Sequence, residues 1–233
     1  MPWQDDARAL AQTIEALYGD ILDYPLLDPT GPAPVRAPGV EAAPVALPPS
    51  QSLSTYAEKI RYCQECGLHI GRQNLVFGRG ESTATIAFIG DVPSTEDDSK
   101  GLPFVDAAGA LLDKMVLAMK LRPENVYLTN IFKCRPPGNQ KPDQELFRIC
   151  ESHLKMQFQW LSAKTIVALG ETAARALAHS EAPLRVLRGQ EFEWEGRRVY
   201  VTHHPRDLLQ SPAKKKEAWE DLQGVMRVLG TRP

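Results

Sequence analysis

The sequence predicts an α/β fold, with an open, mostly parallel central sheet of about four strands and helices on both faces. Short apolar runs alternate with longer stretches of helical periodicity, which is the order expected of a parallel sheet with crossover helices. The runs lack polar alternation, as is typical of strands buried on both faces. The chain of 233 residues is 43% hydrophobic, which is enough for a sizeable core.

Four apolar runs predict the strands, and they span residues 84–90, 126–130, 165–170 and 198–203. The intervening helices are predicted over residues 108–120, 143–161, 171–179 and 212–229. A further helix, with Ser54 as its predicted cap, precedes the first cysteine pair. The segment EFEWEGRRVYV predicts a hairpin around Glu195 and Gly196, which would give the last strand an antiparallel neighbour.

The N-terminal part of the chain has a different composition. Apolar residues at helical spacing predict an amphipathic helix within residues 1–20. Eight prolines between Tyr24 and Ser54 predict an extended linker over residues 21–53. Residues 54–233 then form the predicted globular domain. A helix on a tether is typical of a docking element for a partner protein. The alternatives are that the helix packs back onto the domain or that it frays.

The sequence carries no marker of secretion or membrane insertion. It opens MPWQDDARAL, with acidic residues where a signal peptide has basic ones, and no apolar run approaches the roughly 20 residues that span a bilayer. We therefore expect a cytoplasmic monomer without membrane contact. The first 50 residues carry seven acidic and two basic side chains, so the remainder is net positive, which is compatible with an anionic partner but does not identify one.

Four cysteines occur at suggestive spacings, namely Cys63, Cys66, Cys134 and Cys150. Disulfides are rare in the cytosol, so the favoured interpretation is one four-thiolate site for zinc or an iron–sulfur cluster. The second pair is spread over a loop and a helix, which suits a bulkier cluster better than a zinc ribbon. The alternative is two unrelated buried thiols and a chance C-x-x-C.

Polar residues follow three of the predicted strands. Asp91 follows the first strand, Asn130 ends the second, and His204 follows the last. Ligands of open α/β sheets bind outside the carboxyl ends of the strands. Each residue has a structural alternative, as a helix cap, a turn residue or a loop histidine. Together they predict a hydrolytic site in which a polar side chain recognises a specific group of the ligand.

Four segments within residues 55–230 carry a resemblance to a known family. In chain order they read GDVPSTEDDSKGLPFVDAAGALLDKM, VYLTNIFKCRPPGNQKPDQELFRIC, IVALGETAA and VYVTHHPRDLL. The chain resembles the iron–sulfur (family 4) uracil-DNA glycosylases. This resemblance implies a uracil-DNA glycosylase-like fold and excision of uracil from single- and double-stranded DNA in base excision repair. It also implies a [4Fe-4S] cluster held by the four cysteines.

The resemblance also implies roles for individual residues. Phe104 matches the aromatic residue that stacks on the flipped base, and Asn130 the carboxamide that reads the uracil edge. Gly90 belongs to the same base pocket. His204 matches the histidine that stabilises the leaving anion, and Asp91 stands where a carboxylate orients water or favours the cationic sugar.

Basic residues near the last motif are candidate phosphate contacts, namely Arg206, Lys214 and Lys215. The alternative for the two lysines is a solvated helix start.

The chain departs from the family pattern at several positions of this region. Asp91 replaces the usual Glu, Val92 an Ala, and Ser94 and Asp106 each replace a Gly. Arg206 and Asp207 replace a small residue and a Tyr. These departures keep a second hypothesis open, namely that the protein is a catalytically weak or inactive relative that binds DNA or senses damage.

A third hypothesis is a redox protein that uses the cluster. The convergence of Asp91, Asn130 and His204 argues against it, because electron transfer does not require these residues. The N-terminal helix adds a replication or repair protein as a candidate partner.

The proline density of the linker leads to the first prediction. Limited proteolysis should cut between Tyr24 and Ser54 and leave a stable fragment that begins near residue 50, because such a segment lacks apolar bulk. The fragment is identified by mass spectrometry. A large fall in melting temperature on deletion of residues 1–50 would show instead that the N-terminal helix packs on the domain.

Overall fold

The structure is a computed structural model that describes residues 52–139, 142 and 144–231. The predicted N-terminal helix and nearly all of the predicted linker lie outside the described residues, so the domain organisation stays a prediction. Within the described part of the chain, no helix has the length and hydropathy needed to cross a membrane.

Five strands form one sheet in the described residues, in the spatial order β2-β1-β3-β5-β4. Their bounds are Ile86–Gly90 (β1), Val126–Asn130 (β2), Thr165–Leu169 (β3), Glu191–Trp194 (β4) and Arg197–Thr202 (β5). The pairs β1–β2, β1–β3 and β3–β5 are parallel, and β4 runs antiparallel at one edge. The predicted α/β class with a mostly parallel open sheet is confirmed.

The fifth strand belongs to the predicted hairpin. Trp194 of β4 pairs with Arg197 of β5, so the turn consists of Glu195 and Gly196 alone. Both turn residues have positive φ, at 49° and 71°, which is the requirement of the tight turn that matches strand twist. The Glu-Gly dipeptide thus correctly located the turn.

Eight α-helices accompany the sheet in the described residues. Their bounds are Leu53–Ile60 (α1), Thr95–Lys100 (α2), Ala107–Ala118 (α3), Gln144–Trp160 (α4), Glu171–Ala178 (α5), Leu184–Leu187 (α6), Pro205–Gln210 (α7) and Lys214–Leu229 (α8). Helices α2, α6 and α7 were not predicted, because segments of six residues or fewer are too short to show helical periodicity.

The predicted cap of α1 is wrong by two residues. Ser52, not Ser54, is the N-cap, and its hydroxyl accepts a hydrogen bond from the backbone N–H of Thr55 at 3.2 Å. The Ser54 hydroxyl lies 2.8 Å from that of Ser52. Three hydroxyl-bearing residues within four positions made the cap ambiguous from sequence.

The sheet is buried on both faces, as its apolar strands predict. Along β1, Ala87 and Ile89 pack into one apolar cluster, which also contains buried residues of α4 and α5. Ile86 and Phe88 point the other way into a second cluster, with residues of α3 and α8. The sheet therefore forms the middle layer, and its carboxyl edge is the place where polar loops can meet.

Trp194 anchors the edge hairpin to this core and leads to a stability prediction. Its ring is buried against Phe158, with centroids 5.3 Å apart, and its Nε1 donates to Glu151 Oε1 at 3.2 Å. Trp194→Ala should lower the free energy of unfolding by about 3 kcal/mol or more, through lost apolar burial and a cavity. Urea denaturation measures this. Leu117→Ala is the control. Leu117 is half-exposed, so this substitution should lower the free energy of unfolding much less.

Candidate active site

The ends of β1 and β2 lie side by side and form the centre of the candidate site. Gly90 pairs with Asn130 in the parallel ladder. A Cβ atom added to Gly90 would lie 2.5 Å from Asn130 Oδ1, 2.7 Å from Phe104 Cζ and 3.4 Å from His204 Nε2. Three predicted site residues therefore converge on the space above Gly90, and a larger side chain there would clash with them.

Asn130 presents an amide with an unused donor. The side chain is buried, and its Nδ2 has no hydrogen-bond partner. Buried amide groups are normally paired, so an unpaired donor beside a convergence of side chains indicates a ligand position. The amide also offers Oδ1 as an acceptor, and it can therefore recognise a group that has an acceptor next to a donor.

Phe104 forms a second wall of the pocket. Its ring stacks on the imidazole of His204, with centroids 6.0 Å apart and planes 24° from parallel. Its φ is +56°, a left-handed conformation that is strained for a bulky residue. Such strain persists only where the surrounding structure imposes it, and it concentrates at functional sites.

Two side chains hold the strained backbone of Phe104. Arg79 donates from Nη2 to the carbonyl of Phe104 at 3.3 Å and from Nε to that of Pro103 at 3.0 Å. On the other side, Asp97 Oδ1 accepts the backbone N–H of Val105 at 2.8 Å. Arg79 and Asp97 were not predicted as site residues, because their role depends on contacts 8 to 25 positions away in sequence.

His204 is the N-cap residue of α7, and its contacts define its protonation state. Its Nδ1 accepts a hydrogen bond from the backbone N–H of Arg206 at 3.0 Å, so the proton of the neutral ring is on Nε2. Burial lowers the pKa of His204, and the nearby Asp91 carboxylate opposes this only in part. The ring is therefore neutral at physiological pH, and its Nε2–H donor faces the space above Gly90.

Asp91 completes the pocket next to the imidazole. Its Oδ1 lies 3.3 Å from His204 Nε2 but, although buried, makes no hydrogen bond. The other side of the carboxylate is partly accessible, since the side chain is 25% exposed. A carboxylate in this position can accept a hydrogen bond from water or stabilise a positive charge.

Two departures from the family pattern have a structural role that the sequence reasoning missed. Ser94 forms a capping box with Asp97 at the start of α2, with hydrogen bonds of 3.1 and 3.0 Å. Asp106 caps α3 by accepting the backbone N–H of Gly109 at 3.0 Å. Among the residues that depart from the family pattern, Asp91 has its carboxylate beside His204 Nε2, at 3.3 Å.

A groove runs outward from Asp91 and is lined by the 91–96 loop, Pro136, Thr172 and Arg206. Arg206 is thus close to the pocket. Lys214 and Lys215 begin α8 and do not line this groove. The proposed phosphate contacts of the three residues stay predictions.

The segment that carries His204 is anchored to α8. His203 is buried and its Nε2 lies 2.8 Å from Glu217 Oε2. Thr202 donates to Asp221 Oδ2 at 2.8 Å, and the same carboxylate pairs with Arg188 at 2.8 Å. These contacts fix the end of β5, and hence the position of His204.

The four cysteines line one small cavity. Two polar side chains contact their sulfur atoms. Arg72 Nη1 donates to Cys134 Sγ at 2.9 Å, and His153 Nε2 lies 3.2 Å from Cys63 Sγ. Cys134 and Cys150, which are distant in sequence, thus lie beside the loop of Cys63 and Cys66, as the four-thiolate interpretation requires.

The buried thiols of this cavity are neutral without a metal. Burial raises the pKa of Cys150 to about 12 and also raises that of Cys134, whereas Lys133 and Arg72 respectively act against these shifts. Iron or zinc binds the thiolate, so binding must displace these protons. The two cations are placed where they would offset the resulting negative charge.

The four sulfur atoms are not close enough together to surround a single zinc ion. A tetrahedral zinc site needs sulfur atoms about 3.8 Å apart, given its bond length of about 2.3 Å. Among the described residues, no three of the four sulfurs come within 4.8 Å of one another. Cys63, Glu65 and His153 do so and could hold a single ion. The four thiols therefore do not form a tetrahedral zinc site in this arrangement, and the assignment of a [4Fe-4S] cluster stays a prediction.

Lys133 is a further residue that sequence reasoning left without a role. It is 1% exposed and lines the cysteine cavity. Burial lowers its pKa to about 7, and the sulfur atoms of Cys150 and Cys134 act against this shift. The signal was present in the sequence, because a lone Lys follows the apolar pair Ile131-Phe132 inside a buried-looking run.

Comparisons with known proteins identify the family to which the chain belongs. The model of the Uracil DNA glycosylase superfamily matches residues 77–223. The chain is 34% identical over 190 residues to a Type-4 uracil-DNA glycosylase of Archaeoglobus fulgidus, covering 78% of this chain and 96% of that protein. It is 36% identical over 157 residues to a Type-4 uracil-DNA glycosylase of Thermotoga maritima, covering 66% and 82% respectively.

A third relative belongs to the same type. It is a Type-4 uracil-DNA glycosylase of Pyrobaculum aerophilum, 35% identical over 173 residues, with 71% of this chain and 88% of that protein covered. The matched region contains the whole pocket around Gly90. On the fold, the pocket and these matches, the chain belongs to the uracil-DNA glycosylase superfamily.

Proposed function

We propose that this protein hydrolyses the N-glycosidic bond of uracil in DNA, after flipping the nucleotide out of the stack, as the first step of base excision repair. The observation that carries this proposal is the convergence of Asn130, Phe104 and His204 on the space above Gly90. We expect it to act as a cytoplasmic monomer on single- and double-stranded DNA. Recruitment by a replication or repair protein through residues 1–20 stays a prediction.

Base selection would come from Asn130. Its amide can donate from Nδ2 to uracil O4 and accept the uracil N3–H at Oδ1. Cytosine has a donor in place of O4 and an acceptor in place of N3–H, so it would leave both amide groups unpaired in a buried site. Phe104 would stack on the flipped base. Its backbone already has the strained conformation in the structure, so stacking would require no further change there.

Bond cleavage would depend on His204 and Asp91. As the bond between C1′ and N1 breaks, its electron pair stays on uracil, and negative charge gathers on the base and its O2. The neutral His204 ring would donate its Nε2–H to that oxygen and stabilise the leaving anion. Water adds to C1′ and loses one proton, and the released uracil anion takes up one proton from solvent, so the reaction balances. The Asp91 carboxylate would orient this water or stabilise the cationic sugar.

The four cysteines would hold a [4Fe-4S] cluster, and their shared position around one cavity supports this assignment. When bound, the cluster supplies covalent iron–sulfur cross-links between the loop of Cys63 and Cys66 and the segment from Cys134 to Cys150. Arg72 hydrogen-bonds one of these sulfurs and Lys133 lines the same cavity, so both would offset the cluster's negative charge.

A second candidate function is DNA binding or damage sensing with little or no catalysis. The observation that favours it is Asp91, which is one methylene shorter than the family's Glu and lies beside His204. A shorter carboxylate can sit too far from the sugar to assist. The two candidates differ in whether abasic sites form when the enzyme is in excess over DNA.

The proposed role of His204 leads to a prediction about the rate of excision. His204→Ala should lower the single-turnover rate of uracil excision about 100-fold, because it removes a donor to the leaving anion. DNA affinity should change little, since phosphate contacts supply most of it. Abasic sites in a uracil-containing oligonucleotide are scored against time. If the wild type in excess over DNA binds it but releases no uracil, the second candidate replaces the first, and restored release in Asp91→Glu would place the defect at that carboxylate.

The second prediction uses the space above Gly90. Gly90→Ala should abolish most excision, because its Cβ would lie within 2.7 Å of atoms of both Asn130 and Phe104. Gly224→Ala is the matched control, because the nearest atom to its Cβ is Arg227 Nη2 at 3.8 Å. Excision at wild-type rate by a folded Gly90→Ala protein would show that uracil binds elsewhere.

The third prediction concerns the metal. Anaerobically purified protein should contain iron and acid-labile sulfide and show a broad visible absorbance. Cys134→Ser should lower the iron content and disorder the adjacent loop, since cluster binding and folding of such loops are coupled. Folded, colourless wild type with one zinc per chain would contradict the cluster assignment.

A further inference from the structure

Lys133 connects the cysteine cavity to the end of β2. Its Nζ donates to the carbonyl of Asn130 at 2.7 Å and to the hydroxyl of Thr129 at 2.7 Å. The same residue lines the cavity of the four cysteines. One fully buried side chain thus spans from the candidate cluster site to the backbone of the base-reading residue.

The surroundings of Lys133 explain why a cation can be buried here. The ionisable groups that act on it are the sulfurs of Cys150 and Cys134. Its own backbone N–H also hydrogen-bonds to Cys150. Metal-bound thiolates are negative, so a bound cluster would supply the counter-charge that a buried ammonium requires.

The backbone that Lys133 holds also reaches the other strand. Beyond Asn130, the N–H of Ile131 donates to the Gly90 carbonyl at 2.9 Å, and the N–H of Phe132 to the Asp91 carbonyl at 3.0 Å. A shift of the Asn130 peptide would therefore be felt at Gly90 and Asp91 as well. The main chains of Asn130, Gly90 and Asp91 are therefore connected through the segment that Lys133 holds.

We propose that Lys133 is a positioning residue, which holds the backbone of Asn130 so that its side-chain amide is placed for uracil recognition. This proposal rests on the proposed function, because it assigns Asn130 to base reading. It differs from a purely structural role, since loss of the anchor would reduce the preference for uracil over cytosine more than it reduces affinity for DNA in general.

The experiment measures base discrimination without turnover. Wild type, Lys133→Met and the control Lys155→Met are titrated with duplexes that carry 2′-fluoro-2′-deoxyuridine or 2′-fluoro-2′-deoxycytidine, which resist hydrolysis. Lys155 is a half-exposed residue of α4 that pairs with Glu151 and Glu195. Iron, sulfide and visible absorbance are measured for each protein, so that only cluster-loaded samples are compared.

We expect Lys133→Met to lower the ratio of the two dissociation constants about tenfold or more, as for the loss of a charged hydrogen bond. Lys155→Met should keep the wild-type ratio. A cluster-loaded Lys133→Met protein that discriminates within about twofold of wild type would overturn the proposal. Equal loss of affinity for both duplexes would also overturn it, because that is the result of a structural role.

A pair of variants at Thr129 decides the matter if Lys133→Met does not take up the cluster. Thr129→Val removes the hydroxyl that accepts from Lys133, and Thr129→Ser keeps it. The Thr129 hydroxyl also donates to the Phe77 carbonyl at 2.8 Å, but Gln157 Nε2 donates to that carbonyl too. Lower discrimination in Thr129→Val than in Thr129→Ser supports the proposal, and equal discrimination overturns it.

Failure of the proposed function gives a different result. In that case the wild type itself would bind the uracil and cytosine duplexes equally and would release no uracil from an unmodified duplex. If the wild type discriminates and excises uracil while cluster-loaded Lys133→Met behaves identically, the inference about Lys133 fails alone.

Discussion

The parallel pairing of β1 with β2 is the constraint on which the site depends. It sets Gly90 beside Asn130 at the carboxyl edge of the sheet, and the missing side chain of Gly90 leaves the space into which Asn130, Phe104 and His204 converge. Because both strands are buried on both faces, a slip of one residue would move each side chain into the opposite core, where it would not match the packing of its new neighbours. Core packing therefore fixes the register, and the register fixes the pocket.

The loops around this edge are held by polar contacts rather than by apolar burial. Arg79 and Asp97 hold the strained Phe104 backbone, and Lys133 holds the carbonyl of Asn130. Each contact satisfies a backbone group that would otherwise be left without a partner in a partly dry site. A rigid pocket of this kind favours recognition of one flipped base, since little ordering is left to be done when the base enters.

Most of the fold could be predicted from residues. Apolar runs correctly predicted β1, β2, β3 and β5, and Glu195-Gly196 correctly predicted the hairpin that adds β4. The short helices α2, α6 and α7 were missed because they show no full amphipathic period. The prediction of Ser54 as a cap was wrong because neighbouring hydroxyl residues compete for the same role. The resemblance carried by the four motifs was confirmed by the superfamily match and by relatives at 34–36% identity.

The sequence by itself determined the α/β class, the family and the residue types that the chemistry requires, since these depend on local periodicity and on motifs that are contiguous in the chain. Only the tertiary structure decided which side chains meet. It gave His204 a neutral ring with its proton on Nε2, through a contact with the Arg206 backbone. It showed Ser94 and Asp106 to be helix caps, and it buried Lys133 between the cysteines and Asn130. Burial and hydrogen bonding depend on residues far apart in sequence, so no local pattern specifies them.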